Sequence, residues 1–128
     1  MDRDAASRAR QRARRKAEAI SKVVRELMDH KLEITPGKVT HLEVKCGKKN
    51  CRCTRGEKHP AHFLYVARGG PLKRIWIPKR DLASVEPRSE RYRRFREARA
   101  RLNKRFKELL ANIDELEAAL TVPYEKEQ

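Results

Sequence analysis

The chain has 128 residues, of which 40% are charged and 38% hydrophobic, and its 33 lysines and arginines against 18 acids give a net charge of +15. A chain of this length fits one small domain with a modest core, which a structural metal would help to stabilise. The excess of positive charge disfavours positively charged partners and favours nucleic acid or anionic lipid. The longest apolar run, Phe63 to Ala67, is too short for a signal peptide or a transmembrane helix, so we expect a cytoplasmic, nucleoid-associated protein.

Residues 1–34 are predicted to contain a basic helix. No glycine or proline interrupts the chain from Asp4 to about Lys31, and Thr35, Pro36 and Gly37 then end the helix. Small or apolar residues recur three and four apart at Ala13, Ala17, Ile20, Val24 and Leu27. The first half of the helix carries cations that we expect to contact phosphates, namely Arg8, Arg10, Arg12, Arg14, Arg15 and Lys16.

Residues 38–86 are predicted to form a small β domain with three strands, Val39 to Cys46, Phe63 to Ala67 and Leu72 to Ile77. A two-residue turn at Gly69-Gly70 would pair Leu64 with Ile75 and Phe63 with Trp76. One face would then carry Leu64, Val66, Ile75 and Ile77, and the other Phe63, Tyr65, Arg74 and Trp76. We expect Cys46 and His62 on the first face.

The aromatic face of this sheet has two interpretations. In the first, single-stranded bases stack on the aromatic rings of Phe63, Tyr65 and Trp76, next to Arg74. Because the chain has only seven aromatic residues, we favour packing of these three against a long helix.

A long helix is predicted over residues 87–121, with Pro87 just inside its start and a tail over 122–128. Its apolar residues follow coiled-coil spacing, and Arg99 interrupts them as an exposed gap. The covering helix is either the Ile20 to Leu27 segment, antiparallel, or the same helix of another copy. The seam for a homodimer or a protein partner would consist of Leu102, Phe106, Leu109, Ile113, Leu116 and Leu120.

All three cysteines lie within eight residues, and a histidine follows, in the pattern Cys46-x₄-Cys51-x-Cys53-x₅-His59. Three thiolates and an imidazole are ligands that suit Zn²⁺, and four protein ligands close its shell, so we expect a structural zinc and no enzyme activity. His62 is the alternative fourth ligand, with His41 a further competitor. Buried, metal-free cysteines are the less favoured interpretation.

Cations surround this cluster at Lys48, Lys49, Arg52, Arg55 and Lys58. Such side chains suit backbone phosphates, which implies salt-sensitive binding with little sequence specificity. Further candidate phosphate contacts are Arg74, Arg91, Arg94, Arg101, Lys104 and Arg105.

The segment from Cys46 to His59, with the strand and the Gly69-Gly70 hairpin after it, resembles an uncharacterised bacterial and archaeal family. That family has a Cys-Gly-Lys-x-x-Cys-x-Cys-x-x-Gly-x-x-His core followed by Gly-Pro-Tyr, and its members are often found near transposases and recombinases. This chain has Pro60-Ala61-His62 in place of Gly-Pro-Tyr. The resemblance covers about residues 38–80 and implies a mobile-element or phage setting.

The sequence therefore predicts an α+β protein, in which a three-stranded zinc-binding sheet is flanked by a basic N-terminal helix and a long coiled-coil-like C-terminal helix. We expect a DNA-binding accessory factor that holds backbone phosphates. We expect it neither to bind a membrane nor to act on a small-molecule substrate. Duplex DNA is favoured as the partner because long basic helices suit its grooves and backbone. RNA binding through the sheet, or a protein-adaptor role through the C-terminal helix, are the alternatives.

Overall fold

The computed structural model describes residues 1–126 and contains two long helices and one antiparallel sheet. The elements are α1 (Arg3–Met28), β1 (Lys38–Val44), a short 3₁₀ helix (Arg52–Arg55), β2 (His59–Val66), β3 (Lys73–Ile77) and α2 (Lys79–Leu120). The predicted α+β class is confirmed. The predicted tail, residues 122–128, has no regular structure as far as residue 126, and residues 127 and 128 lie outside the described part.

The chain divides into two compact units. The helical unit contains Met1–Lys31 and the chain from Arg96 onward, and the sheet unit contains Leu32–Phe95. Helix α2 contributes residues to both units. None of the helices in residues 1–126 combines the length and the apolar character needed to cross a bilayer.

In the helical unit, α1 runs antiparallel to the C-terminal part of α2. The Asp2 side chain caps α1 by accepting a hydrogen bond from the Ala5 N–H, and the Asp2 N–H donates to the Ala119 carbonyl near the end of α2. Farther along, Arg101 of α2 pairs with Glu26 of α1 at 3.2 Å. The partner of α2 is therefore a helix of the same chain, as one of the two predicted arrangements requires.

The buried seam of this helix pair differs from the predicted one. On α1 the buried residues are Ala6, Ala9, Ile20 and Val23, whereas Val24, placed in the seam from sequence, is 36% exposed. On α2 the structure divides the predicted set: Leu102, Leu109 and Leu116 are half-buried, but Phe106, Ile113 and Leu120 are exposed. Arg99 is exposed, as predicted. The prediction merged two neighbouring stripes of α2, of which only one faces α1.

In the sheet unit, β2 is the central strand and pairs antiparallel with β1 and β3. The predicted pairs Phe63–Trp76 and Leu64–Ile75 are confirmed. The Leu64 face carries Val39, His41, His62, Leu64, Val66, Ile75 and Ile77, because residues opposite one another share a face. The Phe63 face carries Leu42, Val44, His59, Ala61, Phe63, Tyr65, Arg74 and Trp76.

The residues between α1 and β1 and the start of α2 lie against the Leu64 face. A Cβ on Gly37 would lie 2.8 Å from Leu64 and 2.9 Å from Val66, so the backbone passes directly over these side chains. The Ser89 hydroxyl of α2 donates to the Gly37 carbonyl at 2.7 Å, and the Thr35 N–H donates to the Arg88 carbonyl at 3.1 Å. These bonds connect α2 to the chain that enters β1.

Helix α2 begins at Lys79 and not beside Pro87, so the predicted start of the long helix is wrong. Pro87 lies inside the helix, where it cannot donate a hydrogen bond to the Ala83 carbonyl. Residues on both sides of Pro87 contact the chain at β1 or just before it, since Glu86 contacts His41 and Ser89 contacts Gly37.

Candidate metal centre

The loop between β1 and β2 folds back on itself and brings the cysteines together. We call residues 46–59 the knuckle. The Cys51 N–H donates to the Lys48 carbonyl at 3.3 Å, and the Thr54 N–H and hydroxyl both donate to the Cys51 carbonyl. Gly56 ends the 3₁₀ helix with φ of 115°, a left-handed conformation that favours glycine. The chain then enters β2 at His59.

Four side chains converge in the knuckle. The Sγ atoms of Cys46, Cys51 and Cys53 and a ring nitrogen of His59 all lie within 4.8 Å of one another. Cys46 Sγ and Cys53 Sγ are 3.4 Å apart, and Cys51 Sγ is 2.7 Å from His59 Nε2. Two sulfurs bound to one tetrahedral zinc lie roughly 3.8 Å apart, given a Zn–S bond of about 2.3 Å. The four groups are thus close enough to hold one metal ion.

Burial differs sharply across this cluster. Cys53 is fully buried, Cys51 and His59 are half-buried, and Cys46 is exposed. The fully buried thiol would anchor a bound ion to the sheet unit, and the exposed one would face the solvent. Within residues 1–126, no other group of three or more metal-ligating side chains comes close enough to hold one ion.

The pKa values of the thiols follow their hydrogen bonds. The Lys48 N–H and then Cys53 lower the pKa of Cys46, and the Cys53 N–H and then His59 lower the pKa of Cys51. For Cys53, the Cys46 N–H lowers the pKa, but burial and the adjacent thiols outweigh this bond and raise it overall. Since metals bind thiolates, two of the three thiols are predisposed to bind one.

The strand register explains why His59 joins the cysteines. Val44 pairs with His59, which places His59 on the Phe63 face together with the end of β1 that leads to Cys46. The sequence prediction that Cys46 shares the Leu64 face with His62 is therefore wrong. It relied on strand alternation without the register between β1 and β2, which the long loop leaves undetermined.

His62 lies on the Leu64 face and has other partners. It pairs with His41 across β1 and β2, and the two Nδ1 atoms are 2.6 Å apart. The His41 Nε2 atom is 2.8 Å from a carboxylate oxygen of Glu86 in α2. Both histidines considered as alternative ligands therefore belong to a polar chain that ends at α2. The sequence analysis did not predict this row of polar contacts. The correct register between β1 and β2 would have placed His41 opposite His62.

The cations of the knuckle are all exposed. These are Lys48, Lys49, Arg52, Arg55 and Lys58, and none forms an ion pair in the described structure. On the Phe63 face, Arg74 lies over the Phe63 ring, with its guanidinium carbon 4.6 Å from the ring centre. The expected burial of this face under a helix is not observed for Trp76, which is 62% exposed, whereas Phe63 is buried.

Several cations of the helices that are predicted to contact phosphates already form ion pairs or hydrogen bonds within the chain. Arg12 pairs with Glu115 and Lys16 with Glu108, each at 2.5 Å. The other engaged cations are Arg91 with the Glu33 carbonyl, Arg94 with Glu90, Arg101 with Glu26, and Arg105 with Glu108. Of the predicted contacts on the helices, Arg8, Arg10, Arg14, Arg15 and Lys104 are exposed and form no ion pair among residues 1–126. Glu108 and Glu115 of α2 therefore pair with cations of α1.

Comparison of the chain with protein-family models, curated proteins and solved structures finds no match. The family resemblance of the knuckle stays a prediction.

Proposed function

We propose that this chain is a zinc-stabilised nucleic-acid-binding protein whose knuckle holds cations in place for contact with phosphates. The observation that carries the proposal is the meeting of three cysteines and one histidine within a loop that exposes five cations. Three thiolates and an imidazole form a common structural zinc set. With all four positions taken by protein, the ion has no site for a reactive water, so the proposed role is binding and not catalysis.

Charge balance supports a phosphate partner. Zn²⁺ with three thiolates and a neutral imidazole carries a net charge of about −1. The knuckle has five cations against the single acid Glu57, so it keeps an excess of positive charge after the thiolates are neutralised. Cations held on a rigid loop bind phosphates with little loss of conformational entropy, and the counterions they release make the binding salt-sensitive.

Duplex DNA is the proposed partner. Helix α1 exposes Arg8, Arg10, Arg14 and Arg15, and it is long enough to follow a groove or a backbone. The family resemblance of the knuckle supports a further proposal, that the protein acts as an accessory factor of a mobile element or phage.

Single-stranded RNA is a second candidate, favoured by one observation. Trp76 is 62% exposed on the Phe63 face, and Arg74 lies two residues before it on the same face of β3. An exposed indole beside a guanidinium on a sheet is a suitable surface for stacking an unpaired base.

The test is the affinity of the full chain for duplex DNA, single-stranded DNA and structured RNA across a range of salt concentrations. We expect a steep salt dependence for duplex DNA. The double variant Lys48→Ala/Lys49→Ala should reduce the slope of log K against log salt by about two. Lys22→Ala/Arg25→Ala removes the same charge from α1 outside the proposed contacts and should preserve the slope.

Two outcomes decide between the candidates. Weak, salt-insensitive binding to all three nucleic acids contradicts the proposal altogether. Trp76 is the single tryptophan of the chain. If single-stranded RNA quenches its fluorescence and duplex DNA does not, the second candidate is favoured.

A further inference from the structure

Helix α2 carries a second heptad-spaced stripe beside the one that faces α1. The residues that face α1 are buried or half-buried, and they include Ala98, Leu102, Arg105, Leu109, Asn112 and Leu116. One step along a helix turns the side chain by about 100°. The residues that directly follow those of the first stripe form a second stripe, all of it exposed. It consists of Arg99, Asn103, Phe106, Leu110, Ile113, Glu117 and Leu120.

The centre of this second stripe is apolar. Phe106 is 46% exposed, Leu110 58% and Ile113 43%, and Leu120 at the end of the helix is 38% exposed. Single exposed apolar residues are common, but a continuous row of large ones on one helix face marks an interaction surface. From Arg99 to Leu120 the stripe is about 33 Å long, which corresponds to three heptads.

The charges at the two ends of the stripe have opposite signs. Arg99 lies before the apolar centre and Glu117 after it. The residues three and four positions from Arg99 are Phe95, Arg96, Leu102 and Asn103, and those around Glu117 are Ile113, Asp114, Leu120 and Thr121. Neither end therefore has an opposite charge at helical spacing on its own helix. Neither side chain forms an ion pair among residues 1–126.

We propose that this stripe binds the same stripe of a second copy of the chain, antiparallel, to form a homodimer. Antiparallel pairing centred between Phe106 and Leu110 places Phe106 of each copy opposite Leu110 of the other. The same register places Arg99 of each copy opposite Glu117 of the other. Parallel pairing would instead place like charges together at both ends.

The self-complementary pattern is what identifies a second copy as the occupant. A two-fold interface must match a surface to itself, so charges that lie at equal distances on the two sides of its centre should have opposite signs. Arg99 and Glu117 are each nine residues from position 108, and Phe106 and Leu110 are each two residues from it. This symmetry of charges and apolar residues favours a second copy over an unrelated protein. Two helical units joined in this way would form a four-helix arrangement.

The test is sedimentation equilibrium of the metal-loaded full chain and of variants. We expect wild type to be dimeric at about 100 µM, where a micromolar interface is largely occupied. Leu110→Glu, which places a carboxylate in the apolar centre, should give monomers. Ala111→Glu adds the same charge one step around the helix, off the stripe, and should leave the dimer intact.

Charge reversal tests the antiparallel register. Arg99→Glu or Glu117→Arg alone should weaken dimerisation roughly tenfold, because each symmetric dimer loses two ion pairs and gains two repulsions. The double variant Arg99→Glu/Glu117→Arg should restore wild-type affinity. Circular dichroism of each variant checks that the helices still form.

Three results would overturn the proposal. These are a monomeric wild type at every concentration, a dimer that Leu110→Glu leaves unchanged, and a double charge reversal that does not restore the affinity. The first of them would leave a different protein as the occupant of the stripe. The measurement uses no nucleic acid, so its outcome is separate from that of the binding experiment.

Discussion

The helical unit and the knuckle are both rich in cations but stabilise their structures in different ways. In the helical unit, repeated side-chain contacts between α1 and α2 bury Ala6, Ala9, Ile20 and Ala98, and ion pairs join the two helices. The knuckle has only a 3₁₀ turn, a few backbone hydrogen bonds and one fully buried side chain, Cys53. Long-range packing therefore determines the first structure, and we propose that a metal determines the second.

The same comparison explains where positive charge remains available. Glu108 and Glu115 of α2 neutralise Lys16 and Arg12 of α1, so part of the basic helix is engaged within the chain. The knuckle contains one acid, Glu57, and none of its cations forms an ion pair in the described structure. Total charge alone does not identify a binding surface, because the distribution of acids decides which cations are available.

The largest expected effect separates the two units. Removal of the metal, by chelation or by Cys51→Ser, should unfold the sheet unit and leave the pairing of α1 with α2, because a structural zinc contributes on the order of 10 kcal/mol to folding. Amide hydrogen exchange resolved along the chain measures both responses at once. Fast exchange in β1, β2 and β3 with protection retained in α1 is the expected result. If protection in the strands survives in Cys51→Ser, the cluster is ordinary packing.

The next effect concerns the fourth ligand. His59→Ala should weaken zinc binding by more than the roughly 10- to 100-fold that loss of an outer partner costs. His62→Ala should leave zinc affinity close to wild type, because His62 lies on the other face with His41. Competition with a chromophoric chelator measures both variants. The reverse order of affinities would show that the register at the end of β2 is wrong.

A backbone substitution tests the sheet unit without affecting the metal cluster. Gly37→Ala should destabilise the protein by about 3 kcal/mol, because φ is 121° and the new Cβ would lie 2.8 Å from Leu64. Gly70→Ala is the matched control, since nothing lies within 4 Å of its Cβ position, and it should change the stability by less than about 0.5 kcal/mol. Urea denaturation measures both. Equal effects of the two substitutions would contradict the packing over Leu64.

The smallest effect concerns the pH dependence of the helical unit. The hydrogen bond from Lys16, and then that from Arg105, lower the pKa of Glu108 against the opposing effect of burial. A carboxyl whose pKa is lower in the folded state stabilises the fold above its unfolded pKa, and this contribution is lost as the pH falls through the folded value. The melting temperature should therefore fall as the pH decreases below about 4.3.

The variant Glu108→Gln should remove this part of the acid dependence. Glu125→Gln, in the segment after α2, serves as the control and should keep the wild-type profile. Thermal melts followed by circular dichroism between neutral and acidic pH compare the three proteins. An unchanged profile for Glu108→Gln would show that the Lys16 pair does not contribute to stability.

Local patterns in the sequence predicted much of this structure. The Gly69-Gly70 turn determined the β2–β3 register, and the spacing of three cysteines and His59 indicated the cluster before any geometry was known. The absence of glycine and proline from α1 predicted most of its length. Each of these features depends on residues close together in the chain, where spacing carries enough information.

Features that depend on distant residues were not predictable in the same way. Helix α2 has two heptad-spaced stripes one residue apart, and periodicity alone does not show which of them faces α1. The β1–β2 register depends on a long loop, so the face of Cys46 was misassigned. Pro87 favours a helix start, and the sequence does not show that Glu86 contacts His41 and Ser89 contacts Gly37 on either side of it.

X-ray absorption at the zinc edge, on the purified full chain, tests the central claim most directly. We expect about one zinc per chain, with three sulfur ligands at about 2.3 Å and one nitrogen at about 2.0 Å. Cys51→Ser should lose this signal. Purified protein without zinc, or with zinc bound to water and fewer than three sulfurs, would contradict the account.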